Sequence, residues 1–293
     1  LHPNRFRKGL DAVRFPLRSD KAFSPNTMKL LWLSDLHLNH ADSHSRQAFY
    51  AKLCGEKFDA AVVTGDISIS RMLSKHLGEL ARACAPRRVY FLLGNHDFYG
   101  SSFMEVDRIA SACCAEHSNL QHLGQGEIVR LGPDSALVGH RGWADGRAYG
   151  GRRTARRFPD QDGIQDLRYR STYPAFRKME QLGRESGAYF RRVLPHTLAS
   201  YDHVLIATHV PPFVGAARFN GRTLNAAKLP HYVNASLGGV IKGIGGHFPK
   251  TRITVLCGHT HSAATVRIAK NIEVRAGQAS KGHPTIQGIL DSP

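Results

Sequence analysis

Short apolar runs alternate along the chain with longer amphipathic stretches, and several of the runs stop abruptly at polar residues. Apolar runs of about five residues bounded by turn residues are typical of buried strands, and the stretches between them fit helices. The predicted strands cover residues 28–34, 60–64, 88–93, 127–131, 135–140, 201–208, 252–257, 263–269 and 271–276, and the predicted helices cover 43–55, 70–84, 102–116, 162–193 and 225–242. This alternation predicts an α/β fold in which parallel strands are covered by helices.

Two segments depart from this rhythm. Residues 1–27 carry six basic and two acidic residues without periodicity, and we interpret them as a basic N-terminal extension. Residues 28–293 are predicted to form one domain. Within it, residues 141–192 hold 13 basic and 6 acidic residues. We therefore predict a basic, cap-like insert at about 141–200 whose arginines attract an anionic substrate.

Polar clusters follow five of the predicted strands directly. They are Asp35 and His37, Gly65-Asp66, Gly94-Asn95-His96-Asp97, His209, and Gly258-His259-Thr260-His261. In sheets of parallel strands, ligands bind at the carboxyl ends of the strands. Aspartate, asparagine and histidine together form the ligand set of divalent transition metals. The glycines before three of the clusters permit tight turns near a bound ion. The sequence therefore predicts a site for two metal ions.

The ordered motifs D-x-H, G-D, G-N-H-D, H and G-H-x-H resemble those of the calcineurin-like metallophosphoesterase superfamily, over residues 28–276. The resemblance implies a four-layer αββα sandwich with two central mixed β-sheets. It implies that the first metal is bound by Asp35, His37 and His261, and the second by Asn95, His209 and His259, with Asp66 bridging both. It also implies that His96 is an unligated histidine facing the substrate phosphate.

Other residues near these motifs are candidates for supporting roles. The sequence after Asp66 departs from the Gly-Asp-x-x-Asp-Arg pattern of protein Ser/Thr phosphatases, which leaves His96 without the matching aspartate partner. Asp97 is interpreted as a residue that supports the site or caps the helix that follows. Arg141, Trp143 and Arg147 lie where a loop could reach the substrate side, although a packed tryptophan and solvated arginines are the alternative.

Charge and family resemblance together point to an anionic substrate. The formal net charge is +17, which favours phosphate esters, nucleic acid or acidic headgroups as partners, unless the surface is basic without such a partner. The expected function is hydrolysis of phosphate mono- or diesters by metal-activated water, with Mn, Fe, Zn, Ni or Co as the metal. The alternatives are a nuclease acting on DNA or RNA, a nucleotide-lipid pyrophosphatase, and a catalytically silent scaffold.

Cysteine usage and hydropathy bear on the compartment. The chain has five cysteines and no CxxC pair, which favours a reducing compartment. The chain has no run of about 18 apolar residues, so no membrane span is predicted. The first residues lack the apolar stretch of a secretory signal. A cytoplasmic protein is therefore expected. The sequence leaves the oligomeric state open.

Overall fold

A computed structural model of the chain describes residues 28–148, 157–169 and 171–292. The predicted N-terminal extension, residues 1–27, lies outside the described residues. The strands are β1 (Met28–Leu33), β2 (Ala60–Thr64), β3 (Arg88–Leu92), β4 (Leu120–His122), β5 (Val129–Arg130), β6 (Ser135–Gly139), β7 (His203–Ala207), β8 (Arg218–Phe219), β9 (Arg222–Thr223), β10 (Arg252–Cys257), β11 (Ala264–Ala269), β12 (Ile272–Ala276) and β13 (Ile286–Ser292). The α-helices are α1 (Ser43–Gly55), α2 (Ser70–Cys84), α3 (Phe103–Glu116), α4 (Pro159–Gly163), α5 (Thr172–Ser200) and α6 (Ala235–Gly245).

The strands form two large mixed sheets and one hairpin. The first sheet has the order β13-β1-β2-β3-β4, in which β13 is antiparallel to β1 and the other pairs are parallel. The second sheet has the order β11-β12-β10-β7-β6-β5, with antiparallel pairs at its two edges. The carboxyl ends of β1, β2 and β3 are therefore neighbours, and so are those of β7 and β10.

Alternate residues of each strand belong to different hydrophobic clusters, as the two-residue period of a strand requires. Leu30 and Trp32 of β1 pack in a cluster with Leu205 and Leu256 of the second sheet, which fills the space between the sheets. Leu31 and Leu33 of β1 lie in a different cluster, which also contains residues of α1, α2 and α3. A third cluster joins the second sheet to α5 and α6. This helix, sheet, sheet, helix layering confirms the predicted fold class.

Most predicted elements are present, and the differences have local causes. The helix predicted at 162–193 is found at Thr172–Ser200, because the preceding residues form the separate short helix α4 and one turn at Gln165–Leu167. The helix predicted at 225–242 begins only at Ala235, where the Asn234 side chain accepts a hydrogen bond from the amide of Leu237. Strands β4, β8, β9 and β13 were not predicted.

The predicted cap-like insert at about 141–200 divides into parts with different surroundings. Helix α5 buries Phe190, Val193 and Leu194 against the second sheet and is thus an outer layer of the sandwich. The described residues 157–167 instead contact the loop after β3, where Gly100 donates to the carbonyl oxygen of Gly163 over 2.8 Å. The role of this segment as a cap stays a prediction. Within the described ranges, no helix combines the length and hydropathy needed to cross a bilayer.

Candidate metal centre

Backbone hydrogen bonds join the loop after β1 to the loop after β2, and the loop after β7 to the loop after β10. The amide of Asp35 donates to the carbonyl oxygen of Gly65 over 3.0 Å, and the amide of His37 donates to that of Asp66 over 3.0 Å. In the second sheet, the amide of Gly258 donates to the carbonyl oxygen of His209 over 2.8 Å. The loops of each sheet are thus fixed relative to one another before any ion is considered.

Two further hydrogen bonds join the loops of the two sheets. The amide of His259 donates to Oδ1 of Asp35 over 2.8 Å. Nδ1 of His209 lies 2.9 Å from the carbonyl oxygen of Thr64. Both bonds cross from the second sheet to the first at the carboxyl ends of the strands. The structure therefore brings all seven predicted metal ligands to one place.

The backbone is strained where these side chains converge. Among the described non-glycine residues, six have a left-handed φ, and five of them are predicted ligands. These five are Asp35 (49°), His37 (42°), Asp66 (53°), His259 (70°) and His261 (56°). Such conformations are unfavourable for residues with a Cβ and concentrate at functional sites. The strain is thus located in the residues whose side chains meet.

The first group of ligand atoms comes from Asp35, His37, Asp66 and His261. Their atoms all lie within 4.8 Å of one another. The two Nε2 atoms of His37 and His261 are 2.9 Å apart, and Nε2 of His261 lies 3.4 Å from Oδ1 of Asp35. All but the half-buried His261 are buried. Carboxylate and imidazole atoms that converge in this way can hold a divalent cation.

The second group comes from Asn95, His209 and His259. Oδ1 of Asn95 lies 3.1 Å from Nε2 of His209 and 3.0 Å from Nδ1 of His259. The other nitrogen of each ring faces a backbone carbonyl oxygen, that of Thr64 at 2.9 Å and that of His231 at 3.1 Å. Each ring therefore donates its N–H to a carbonyl and turns a lone pair towards Asn95. Three acceptor atoms without a proton between them fit a cation.

Asp66 lies between the two groups. Its Oδ2 is 3.6 Å from Nε2 of His37, and its Oδ1 is 3.4 Å from Nε2 of His209. Among the described residues, no hydrogen-bond donor reaches Oδ2, although the atom is buried. A buried carboxylate oxygen without a donor is unfavourable unless a cation compensates it. The donor set therefore fits divalent metal ions in a way that a purely structural cluster does not.

The pKa values of the two aspartates move in opposite directions. Burial raises the pKa of Asp66 well above its usual range, and the charges of Asp35 and Asp97 raise it further. Burial also acts to raise the pKa of Asp35, but the hydrogen bond with His261 and the charge of His209 outweigh it and lower that pKa. Burial is the main cause that lowers the pKa of His259 to about 3. A neutral His259 keeps the lone pair that a metal requires.

His96 lies beside this cluster without belonging to either group. Its ring centroid is 4.8 Å from that of His37, and the ring stacks on Tyr99 with centroids 4.4 Å apart. Its backbone amide donates to Oδ1 of Asp66 over 2.8 Å. Burial, followed by the charge of the exposed Lys281, lowers the pKa of His96 to about 3. The imidazole is therefore neutral, and the charge of Lys281 disfavours its protonation.

Asp97 supports the loops and does not enter the cluster. Its Oδ1 accepts from the amide of Ser68 over 2.7 Å, and its Oδ2 accepts from the amide of Gly94 over 2.8 Å. The side chain is fully buried. It thereby joins the loop that carries Asp66 to the loop that carries Asn95. The interpretation of Asp97 as a residue that supports the site stays a prediction.

The structure does not bring the three predicted substrate-side residues to the cluster. Trp143 is buried, and its ring contacts Phe103 edge to face at a centroid distance of 5.3 Å. The Arg141 guanidinium pairs with Asp107 over 2.9 Å, and only its carbonyl oxygen serves the site, by accepting from the amide of His209. Arg147 donates to Ser236 instead. The side chains of Trp143, Arg141 and Arg147, which were predicted to lie on the substrate side, are therefore engaged in packing, an ion pair and a hydrogen bond.

Three groups near the site were not predicted. Asp160 accepts hydrogen bonds from Asn95 and Tyr99, and Lys281 acts on His96. The hairpin β8–β9 is joined to the ligand loop by a 3.2 Å hydrogen bond from the amide of Asn220 to Oγ of Ser262. Only the hairpin carried a signal, because Asn-Gly at 220–221 between short extended segments is typical of a two-residue turn.

The chain was also compared with known proteins. The family model described as Calcineurin-like phosphoesterase matches residues 28–263. No curated protein sequence matches significantly. Among solved structures, the chain is similar to a dimetal phosphatase from Danio rerio, with 15% identity, a TM-score of 0.53, and coverage of 86% of this chain and 88% of that one. This likeness supports the fold.

Two further structures are more distant. The protein TT1561 of Thermus thermophilus has 13% identity, a TM-score of 0.49, and coverage of 90% of this chain and 94% of that one. A 5'-nucleotidase from Candida albicans has 13% identity, a TM-score of 0.44, and coverage of 91% of this chain and 48% of that one.

Proposed function

Because the chain belongs to the calcineurin-like phosphoesterase family and is thereby a hydrolase of phosphoester bonds, we propose that it cleaves phosphate mono- or diesters with two divalent metal ions. Asp35, His37 and His261 bind one ion, and Asn95, His209 and His259 bind the other. Asp66 bridges the two ions. His96 acts on the substrate. The metal is one of Mn, Fe, Zn, Ni and Co, all of which accept such ligands.

The orientation of Asp66 is the observation that supports two ions best. One carboxylate oxygen lies near His37 and the other lies near His209. A carboxylate with a single cation would leave its second oxygen facing the lone pairs of the other group. The two oxygens and the two groups of histidine rings therefore match a pair of cations that share one anionic ligand.

Bound at this site, two divalent ions would supply a water molecule of lowered pKa and would offset the negative charge of the ester oxygens. The protein's own residues complete the arrangement. The neutral Asn95 amide limits the negative charge that faces an anionic ester. Lys281 adds a positive charge at the rim. His96 donates a hydrogen bond to an ester oxygen, and the negative charge of a bound phosphate raises its pKa, which favours proton donation to the leaving oxygen.

An activity screen with defined metals tests this proposal. The protein is stripped with a chelator, reloaded separately with each of the five metals, and assayed on p-nitrophenyl phosphate, bis-p-nitrophenyl phosphate, nucleotides, DNA and RNA. Hydrolysis of a small ester with two bound ions is the expected result. Loaded protein that cleaves none of these substrates would favour the silent scaffold. Cleavage of nucleic acid alone would favour the nuclease.

The variant Asp66→Asn tests the bridge. The substitution keeps the size of the side chain, but it removes the charge and turns an NH₂ group towards one of the two metal positions. We expect fewer than two ions per chain and a fall in kcat of at least about 100-fold. Elemental analysis after gel filtration gives the stoichiometry. Asp291→Asn, at an exposed position of β13, is the matched control. Near-normal activity of Asp66→Asn would refute the bridge.

A further inference from the structure

Resting on the proposed function, we propose that Asp160 is a positioning residue that aligns both the second metal position and His96 through one carboxylate oxygen. Oδ1 of Asp160 accepts a hydrogen bond from Nδ2 of Asn95 over 2.9 Å. The same atom accepts one from the hydroxyl of Tyr99 over 2.6 Å. Asn95 is a proposed metal ligand, and Tyr99 carries the stacked ring of His96. One half-buried carboxylate thus contacts both a proposed metal ligand and the tyrosine that stacks on His96.

The bond to Asn95 determines which end of its amide faces the metal position. An ionised carboxylate accepts hydrogen bonds and cannot donate them, so Asp160 selects the NH₂ end of the amide. The carbonyl end then points at Nε2 of His209 and Nδ1 of His259, at 3.1 and 3.0 Å. If the amide were reversed, its oxygen would face the carboxylate oxygen of Asp160, and its NH₂ group would point at the metal position. Asp160 therefore excludes the orientation that cannot bind a cation.

The bond to Tyr99 acts on His96. The rings of Tyr99 and His96 are stacked with an interplanar angle of 23°. The hydrogen bond to Asp160 fixes the hydroxyl end of the Tyr99 ring, and the ring then limits the rotation of the imidazole against it. A second neighbour of the imidazole is the ring of His37, at an interplanar angle of 82°. His96 thus contacts both a proposed ligand and a tyrosine that Asp160 orients.

The carboxylate is itself fixed, because helix α4 and the residues after it are packed onto the loop that follows β3. The amide of Gln165 donates to the carbonyl oxygen of Ser101 over 3.0 Å, and the amide of Phe103 donates to Oδ2 of Asp166 over 2.8 Å. Ile164 and Leu167 are fully buried. Asp160 therefore reaches the site from a packed segment within the most basic part of the chain.

Three variants distinguish the contact of Asp160 with Asn95 from its contact with Tyr99. Metal binding and activity are measured separately. In a calorimetric Mn²⁺ titration of the chelator-treated protein, Asp160→Ala should weaken the second ion by about 10–100-fold and leave the first unchanged. Asp160→Asn keeps an acceptor oxygen and should restore binding of two ions. Tyr99→Phe keeps the bond to Asn95, so it should bind both ions normally but show a lower kcat at unchanged KM.

The control is Asp162→Ala on the same short helix, where the exposed side chain pairs with Arg157. It should bind both ions like the wild type. Asp160→Ala that binds two ions with wild-type affinity would overturn the metal-positioning part, and Tyr99→Phe with unchanged kcat would overturn the His96 part. If the wild-type protein itself binds fewer than two ions, the proposed function fails together with this inference. Should Asp160→Ala not fold, Asp160→Asn with one-ion binding would still contradict the proposal.

Discussion

At the scale of single residues, the site is defined by acceptor atoms that face one another. Asn95 meets two histidine nitrogens, and Asp66 presents an oxygen to each group of ligands. Backbone carbonyls take the remaining ring protons of His209 and His259. Lone pairs that face one another in a low-dielectric interior are unfavourable, and a cation between them removes the conflict. The same convergence of acceptor lone pairs therefore causes both the repulsion between the ligand atoms and their affinity for a metal ion.

Replacement of His96 by alanine separates chemistry from metal binding. The bond from its backbone amide to Asp66 does not need the imidazole, so both ions should remain bound. Loss of a positioned donor should lower kcat by about 10²–10⁴-fold. His44→Ala, at an exposed histidine eleven residues after the end of β1, is the control and should behave as wild type. Full activity of His96→Ala would show that the leaving oxygen needs no donor from this side chain.

Lys281 should affect substrate binding through its charge. Lys281→Gln is expected to raise KM for a small anionic ester about fivefold, which corresponds to about 1 kcal/mol for an exposed charge, with little change in kcat. The difference should shrink at high salt because exposed charges are screened. The exposed Lys270 provides the control variant Lys270→Gln. Equal KM values for both variants at low salt would exclude the proposed role.

At the scale of elements, the loops after β3 and β10 each need a residue without a Cβ next to a ligand. A Cβ on Gly94 would clash with Oδ1 of Asp66, and one on Gly258 would clash with Oδ2 of Asp35. The loops approach so closely because they follow neighbouring strands of sheets that pack face to face. The turn glycines therefore determine how near the carboxylates of one loop can come to the backbone of the next.

Gly258→Ala should abolish binding of the first metal ion and lower the unfolding temperature. The new methyl group must displace the carboxylate of Asp35, which is both a proposed ligand and the acceptor for the amide of His259. Gly239→Ala is the matched control, because nothing lies within 4 Å of the position that its Cβ would take and helix propensity favours alanine. It should leave metal binding intact and raise stability by up to about 1 kcal/mol. Two-ion binding by Gly258→Ala would contradict this account.

The sequence allowed prediction of the parts of the site that lie next to a regular strand. Strands β1, β2, β3, β7 and β10 are apolar runs, so the residues that follow them were predictable as neighbours. Asp160 and Lys281 have no such marker, because they reach the site from a short helix and from the loop before β13. Trp143 and Arg141 show the opposite case. They lie on the loop after β6, which contacts the loop of His209. Aromatic packing of Trp143 and the ion pair of Arg141 with Asp107 hold their side chains away from the site.

At the scale of the whole molecule, several histidines outside the site should make the protein sensitive to acid. Burial is the main cause that lowers the pKa of His76, His122 and His203 to about 4 and that of His140 to about 3. A histidine with a lowered pKa in the folded state stabilises the fold above its unfolded value of about 6.5 and loses that contribution as the pH falls towards its folded value. These residues lie in both halves of the sandwich.

The free energy of unfolding of the chelator-treated protein should therefore fall between about pH 6.5 and pH 4, by at most about 1.4 kcal/mol per histidine and pH unit. His122→Phe, which preserves the stacking on Phe91, should flatten the decline. Denaturant unfolding at several pH values, with the chelator present so that metal release does not contribute, measures both slopes. Identical slopes for the variant and the wild type would show that His122 does not contribute.

The pairing of distant segments also has a consequence for the order of biosynthesis. His37 and His261, whose Nε2 atoms lie 2.9 Å apart, are separated by 224 positions, and β1 pairs with the still later strand β13. At about 5–20 residues per second, the ribosome releases His261 between about 10 and 45 s after His37. Metal binding at the first position therefore cannot occur before residue 261 has been synthesised, and a nascent chain stalled before that residue lacks one of the ligands.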